Sequence, residues 1–452
     1  MSVLNTEQDA ALDAVKAGKS IFLTGAGGTG KSHTIRAITS WAATVGVRYA
    51  VTAMTGCAAL LLTKAKTLHS WAGVGLAREA PHELAAAVLK NKRAKRRWLD
   101  TQLLIIDEIS MMTPEFLEKL DLVARRIRNS EKPFGSLQLV LAGDFCQLPP
   151  VTKGAEETRF VFESPIWSTL VHETHELIQI QRQVDPIFQR LLSEARKGAL
   201  TPESIKVLED RMGLPWQTQE IRPTLLFTRN AQVEAINKQN MQALDGERRT
   251  FTVKTTTMSA PAGKARLFSS SDPEVQTALE RLDTDAPYEP SLELCVGAQV
   301  MLLTNMDQEA GLVNGSRGVV TGYTLGGLPI VRFLAVAEPV IVDRASWWLN
   351  DFDGIGRAQI PLRVAYALTI HKAQGATLDS ALIDIGSSTF EFGQAYVALS
   401  RVRTLEGLYV WALDPRKIRC HPSVLAFYAG PLASVEVTPL ASEESGTSQD
   451  PV

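Results

Sequence analysis

Residues 21 to 32 read Ile21-Phe22-Leu23-Thr24-Gly25-Ala26-Gly27-Gly28-Thr29-Gly30-Lys31-Ser32, an apolar run that enters a glycine-rich turn and leaves it on a lysine and a hydroxyl. From Gly25 onward the stretch fits G-x-x-x-x-G-K-[ST], and the apolar residues ahead of it supply the strand that the pattern needs as context. Glycines let the backbone aim its N–H groups, together with a helix N-terminus, at a phosphate chain. Lys31 then reaches the β and γ phosphates and the Ser32 hydroxyl binds Mg²⁺. Gly25, Gly28, Thr29, Gly30, Lys31 and Ser32 are the candidate nucleotide ligands, with ATP and Mg²⁺ as the expected cofactors.

A second apolar run, Leu103-Leu104-Ile105-Ile106, ends in Asp107 and Glu108. A strand buried on both faces of a parallel sheet reads as such an unbroken run. It delivers Asp107 to the metal shell beside Ser32, and places Glu108 to orient and deprotonate the attacking water. A third run, Leu137 to Ala142, leads through Gly143-Asp144 to Gln147, whose amide could contact the γ phosphate or that water. The fold class that follows is α/β.

Composition bounds the rest. At 452 residues the chain has room for about three domains. Cys57, Cys146, Cys295 and Cys420 are far apart and form no C-x-x-C pair, which argues against a zinc site or a disulfide framework and for a reducing, intracellular setting. No apolar run approaches the roughly 18 residues of a membrane span, and the N-terminus carries no signal peptide. The net charge of −2 gives no global sign of nucleic-acid binding, so such a surface would be a local groove.

Around these anchors, Asn5 and Gln8 match a capping box that opens a helix closed near Gly18. Ile35 and Ile38 mark the buried side of the helix after the glycine-rich turn, and Tyr49 to Ala53 reads as a strand. Thr55-Gly56 and Thr67-Leu68-His69 are polar clusters at strand ends, where parallel sheets place ligands. The basic run Lys90 to Arg97, followed by Trp98, reads first as a solvated helix face, with a phosphate-contacting patch as the alternative. Helical patterns over 185–197 and 230–243 flank a strand at Leu225 to Phe227. The polar stretch 247–290 permits no assignment. Residues 296–342 alternate short β-branched runs with turns at Asn314-Gly315 and Gly326-Gly327, as in a small antiparallel barrel. The chain returns to α/β character at Ala365 to Asp384, and residues 394–401 read as a helix presenting Arg401. The tail from 431 looks disordered.

Taken in order, these stretches resemble the superfamily-one DNA helicases of the 5′→3′ class, with the petite-integration-frequency family nearest and RecD-type and phage Dda-type helicases as relatives. The diagnostic stretch is Asp107 to Arg128, continued through Pro133-Phe134-Gly135-Ser136 to Gly143-Asp144-Phe145-Cys146-Gln147-Leu148-Pro149-Pro150-Val151. Met54 stands where relatives often carry proline, and Cys146 where an aromatic residue is common.

The resemblance implies two RecA-like P-loop domains facing each other across ATP, with a small Src-homology-3-like β-barrel inserted in the second. The expected division is 1–175 for the first domain, with a small insertion around 55–75. Residues 176–295 and 362–430 form the second, 296–361 the barrel and 431–452 the tail. It further implies that Gln8 reads adenine, that Gln147 senses the γ phosphate, and that Gly375 lies at the nucleotide. Arg182 and Arg401 are matched to arginines that the second domain inserts at the phosphates, each finger typically worth about 10³ to 10⁵ in rate. Thr55, Gly56, Thr67, His69, Thr369 and His371 are matched to the single-strand channel. The implied protein is a monomeric ATP-dependent helicase acting on single-stranded and forked DNA. A strand translocase, an RNA-preferring ATPase or a nucleotide-switched binding module are the alternatives. The resemblance also suggests a compact prokaryotic or phage enzyme, cytoplasmic and nucleoid-associated, without a membrane partner.

Overall fold

The computed structural model describes residues 4–430 apart from 63–64, 152–156, 218, 259–267, 308, 350, 351 and 353. The tail expected from residue 431 lies outside the described residues. Asn5 caps α1 (Thr6–Lys16): its side chain accepts the Gln8 N–H, and the Gln8 side chain accepts that of Asn5, which closes the capping box. β1 (Ile21–Gly25) is buried throughout and feeds the glycine-rich turn and α2 (Lys31–Val45). The first lobe is completed by β2 (Tyr49–Ala53), α3 (Gly56–Leu61), β3 (Lys66–Thr67), α4 (Leu68–Ala72), α5 (Pro81–Lys90), α6 (Lys92–Asp100), β4 (Leu103–Asp107), α7 (Pro114–Arg128), β5 (Gln138–Ala142), α8 (Trp167–Leu170) and β6 (Glu173–Leu177).

Its strands form one parallel sheet in the order β3-β2-β4-β5-β1-β6. Successive side chains leave a strand on opposite faces. Phe22, Leu104, Ile106, Leu139 and Leu141 therefore enter one core, with α5 and α7. Ile21, Leu23, Leu103, Ile105 and Val140 enter the other, with α1 and α2. Both faces being covered is why these strands read as continuous apolar runs. After α7, Phe134 sits buried in the left-handed region at φ 51°, held there by its N–H bond of 2.6 Å to the buried carboxylate of Asp121. The division expected after residue 175 falls inside β6, which pairs with β1 from Glu173 to Leu177, so the first sheet runs on to Leu177.

The second lobe begins with α9 (Pro186–Lys197), α10 (Pro202–Glu209), β7 (Thr224–Phe227) and α11 (Asn230–Gln242). A β-rich body then intervenes: β8 (Arg248–Thr252), β9 (Lys254–Thr257), α12 (Pro273–Asp285), β10 (Ser291–Cys295), β11 (Gln299–Leu302), β12 (Arg317–Tyr323), β13 (Pro329–Phe333), β14 (Val340–Ile341), β15 (Ala345–Trp348), β16 (Ile355–Gln359) and β17 (Leu362–Val364). The insertion expected over 296–361 is thus wider on both sides. Its ladders are three antiparallel sheets, β14-β13-β12-β11-β17, β15-β16-β9 and β10-β8, rather than a single closed barrel among the described residues. Gln359, fully buried, ties them: its amide donates to the Phe251 and Glu289 carbonyls at 2.8 and 2.9 Å and accepts the Ile360 N–H. The stretch 247–290 gave no pattern because β8 and β9 are mostly exposed, so little apolar alternation marks them.

The chain then returns through β18 (Ala367–Thr369), α13 (Ile370–Ala373), β19 (Ala381–Ile385), α14 (Gln394–Leu399) and β20 (Leu408–Leu413) to finish a second parallel sheet, β18-β7-β19-β20. The last described helix, α15 (Pro422–Ala429), crosses back onto the first lobe. Phe427 stacks on Phe162 at 4.3 Å and meets Phe22 and Phe145 edge-on. The Tyr428 hydroxyl bonds Thr24 Oγ1 at 2.7 Å and accepts the Phe145 N–H at 3.2 Å. One apolar core consequently runs from β1 into the second sheet.

The basic run divides between two roles. Lys92, Lys95 and Arg96 face solvent, as read. Arg97 instead donates to the Ser70 and Trp71 carbonyls. Arg93 pairs with Glu274 at 3.0 Å and lies over the rings of Phe268 and Phe352.

Docking of α15 is testable through Phe427→Ala. Losing this half-buried ring is expected to cost about 2 kcal/mol in urea unfolding. A change within the roughly 0.5 kcal/mol of an ordinary surface substitution would show that the helix does not hold the lobe.

Candidate active site

The glycine-rich turn is wedged between side chains from elsewhere in the chain. Gly28 and Gly30 take φ of +89° and +98°. A Cβ at Gly28 would stand 2.7 Å from Arg182 Cβ, and one at Gly30 would stand 2.6 Å from Gln8 Nε2. Gly25 abuts the Leu177 carbonyl. Thr29 is buried and donates its hydroxyl to the Ala26 carbonyl at 2.9 Å, so its side chain shapes the loop. Gln8 combines both readings given to it: its carbonyl completes the cap of α1, and its amide nitrogen rests on the loop.

Lys31 Nζ donates to the Gly25 and Ala26 carbonyls at 2.6 and 3.1 Å. Burial lowers its pKa, against the pull of Asp144, Glu108 and Asp107. Asp107 ends β4, with its Oδ1 accepting the Glu108 N–H at 2.9 Å. Burial first, and the neighbouring Glu108 second, push its carboxyl up to about 7. A cation here would offset that cost. Ser32 and Asp107 together offer the hydroxyl and carboxylate oxygens that Mg²⁺ takes alongside phosphate oxygens. Among the described residues no cluster of three or more His, Cys, Asp or Glu could hold a metal, so the fit depends on oxygens a nucleotide supplies.

Arg182 and Arg401 converge on this loop. The Gln181 and Arg182 N–H groups bond the Gly28 carbonyl at 2.8 and 3.3 Å. Arg182 thus lies on the segment just after β6, bonded to the first lobe's turn, where the resemblance implies an arginine inserted by the second domain. Its guanidinium reaches the Ser400 carbonyl at 3.0 Å. Arg401, buried just past α14, donates to Val397 O and Ser400 Oγ and stands 3.3 Å from where a Gly27 Cβ would be. Neither forms an ion pair among the described residues. Burial and then the charge of Arg401 push Arg182 down to about 9, and burial lowers Arg401 too. Two adjacent cations kept from water call for an anion.

Sequence reasoning missed the support behind these groups. Asp144, fully buried at the end of β5, holds Arg196 of α9 through contacts of 3.1–3.2 Å. Tyr396 of α14 lies 3.4 Å from Asp144 and accepts the Gly27 N–H at 2.7 Å. The only hint was an acidic residue ending an apolar run, and nothing local singled out Arg196 or Tyr396. Gln147 is buried in the loop after β5, where its carbonyl would lie 2.4 Å from a Cβ at Gly393, the residue before α14. Gln374, next to Gly375, donates to Glu108 Oε2 at 2.8 Å from the other lobe.

The candidate strand contacts share one edge. Thr55, Thr67 and Thr369 each follow or end a parallel strand and each caps a short helix, accepting the N–H groups of Ala58, Ser70 and Lys372. Ala53 pairs with both Thr67 and Asp107, which brings Thr55-Gly56 and Thr67 to the carboxyl edge that carries Asp107. His69 stacks on Phe116 at 4.4 Å, while His371 is exposed. No helix among the described residues is long and apolar enough to cross a membrane.

Known proteins resemble this chain over most of its length. The model of the PIF1-like helicase family matches residues 3–197, and that of the DNA helicase Pif1 2B domain matches residues 278–323. The chain is 41% identical over 431 residues to the human ATP-dependent DNA helicase PIF1, covering 94% of this chain and 63% of the human protein. It spans a little under two thirds of the length of the first curated relatives it matches. The crystal structure of Pif1 helicase from Candida albicans is 34% identical, with a TM-score of 0.75 over 95% of this chain and 99% of that one. Bacteroides Pif1 bound to ssDNA is 29% identical, with a TM-score of 0.65 over 96% and 98%.

The raised Asp107 carboxyl carries a stability prediction. In the folded chain it binds a proton more tightly than the unfolded chain does, so stability falls as pH rises from about 4 to about 7. Asp107→Asn, compared in chelator, is expected to raise stability by about 1–3 kcal/mol at pH 8, with the difference vanishing below about pH 4. An equal midpoint for both chains at pH 8 would show that Asp107 carries no such strain.

Proposed function

The chain belongs to the PIF1-like helicase family, and from that premise we propose that it is an ATP-driven DNA helicase moving 5′→3′ along single-stranded DNA. The observation that carries the proposal is the approach of Arg182 and Arg401 to Gly27 and Gly28, two cations that form no ion pair among the described residues, set against a phosphate-binding turn. Lys31 and both guanidiniums gather on the outer phosphates of ATP, and that shared anion draws the two lobes together. Glu108 takes a proton from the attacking water as the water oxygen bonds the γ phosphorus and the bond to the β-phosphate oxygen breaks, releasing ADP. Gln147 orients that water, and Gln8 and Gly375 bound the nucleotide. Ser32 and Asp107 would hold Mg²⁺, which would supply positive charge to offset that building on the phosphate oxygens.

Loss of the γ phosphate removes the bond between the lobes, which then separate. Thr55, Gly56, Thr67 and His69 on one lobe, and Thr369 and His371 on the other, hold the strand through phosphate and sugar contacts. Each cycle therefore moves one set of contacts along the strand. The human relative's name and the DNA-bound Bacteroides structure support DNA as the track, forked duplexes being the substrate. One chain carries both lobes and both arginines, so the proposed motor is a monomer. The divisions we propose are two RecA-like lobes and a Src-homology-3-like β body that helps hold the strand. A cytoplasmic, nucleoid-associated setting goes with this activity.

Duplexes bearing a 5′ or a 3′ single-stranded tail test the proposal, with Lys31→Ala as control. Opening of the 5′-tailed duplex alone, lost in the control, is expected. ATP turnover that DNA stimulates without opening either duplex would reduce the protein to a translocase. Arg401→Ala is expected to slow DNA-stimulated turnover by about 10³-fold; a loss under tenfold would remove Arg401 from the phosphate site.

A further inference from the structure

The contact between Gln374 and Glu108 links the two ends of the proposed cycle. Gln374 Nε2 donates to Glu108 Oε2 at 2.8 Å, across the lobes and over 266 positions of sequence. Glu108 is held in an unusual pose. Its backbone is left-handed, with φ 55° and ψ 42°, a conformation that costs a non-glycine residue on the order of 1–3 kcal/mol. Its N–H is fixed on Asp107 Oδ1 at 2.9 Å and its carbonyl accepts the Met111 N–H at 3.2 Å. With the backbone pinned at both sides, the direction of the carboxylate is set by what bonds it, and Gln374 is that partner.

Gln374 in turn is rigidly joined to the candidate strand contacts. Thr369 caps α13 by accepting the Lys372 N–H at 3.2 Å. The Gln374 N–H bonds the His371 carbonyl at 3.2 Å, and Gly375 turns the chain at φ +80°. Residues 369–374 are therefore a single hydrogen-bonded turn, with Thr369 and His371 on the edge assigned to the strand and Gln374 on Glu108. Displacing one end displaces the other.

We propose that Gln374 is a positioning residue that couples strand binding to hydrolysis: its amide occupies one carboxylate oxygen of Glu108, and strand engagement at Thr369 and His371 draws it away. The inference rests on reading Glu108 as the base. A carboxylate accepts on two oxygens, and an N–H held on one of them occupies that oxygen and fixes the plane of the other. An amide suits this role, because it carries no charge and has no proton to give up. A hydrogen bond to a charged acceptor is worth enough to hold the base at rest, yet is within reach of the coupling free energy of a bound strand.

The test uses the full chain with Gln374→Ala, and Gln374→Met to preserve side-chain volume. ATP turnover is measured without DNA and with a saturating single-stranded oligonucleotide, with thermal unfolding as a check on folding. The expected result is DNA-free turnover raised about tenfold, with the stimulation ratio falling by the same factor. A purely structural glutamine would shift the unfolding midpoint and leave that ratio alone. An unchanged ratio in both variants, or a parallel fall of both turnovers, would overturn the coupling. Glu108→Gln separates the two layers. Turnover persisting in Glu108→Gln sinks the base assignment itself. A silent Glu108→Gln with an unchanged ratio in Gln374→Ala sinks the coupling alone.

Discussion

Lys31, Arg182 and Arg401 are drawn toward one glycine-rich turn with no ion pair among the described residues, and the rest of the structure is arranged to sustain that. Burial lowers the proton affinity of all three. Such crowding is unfavourable by itself. It persists because the groups arrive from three parts of the chain, each anchored by other means: Lys31 on the start of α2, Arg182 on a segment bonded to Gly28, and Arg401 on the end of α14. Of the acids near them, Asp144 is committed to Arg196. The positive charge is thereby reserved for an anion.

Apolar packing supplies the stability that this arrangement consumes. The first sheet is buried on both faces, and its inner core continues into the second lobe through α9 and α15. Aromatic rings of α15 sit directly behind β1 and the loop that carries Gln147. The same elements that hold the lobes also back the phosphate turn, so packing and charge placement are one device. Strain appears where chemistry is expected: Glu108 is left-handed and Asp107 is a carboxyl whose ionisation burial opposes.

Local patterns were legible in proportion to burial. Phe22, Ile105 and Val140 lie in strands covered on both sides, and the apolar runs that mark those strands end within two residues of the observed ends. β8 and β9 expose most of their residues, so the β body looked narrower than it is. β6 carries polar residues from Glu173 to Glu176 at the sheet edge and only Leu177 is buried, so the sequence marks its end weakly and a division at residue 175 falls inside it. Thr55, Thr67 and Thr369 were singled out as strand contacts, and the fold adds that each caps a helix, a role that short-range bonds dictate wherever the residue lies.

Two kinds of information thus separate. The sequence by itself determined the phosphate turn, the carboxylates that end β4 and the parallel α/β class, because each depends on contiguous residues and on a periodicity set by burial. Only the tertiary structure decided that Arg182 lies on the first lobe's own turn, that Asp144 restrains Arg196, that Tyr396 bonds the Gly27 N–H, and that Gln374 holds Glu108. Those contacts join residues 52 to 369 positions apart. No local spacing encodes such pairings. They arise when two sheets that share one apolar core are brought together by packing that neither contains alone.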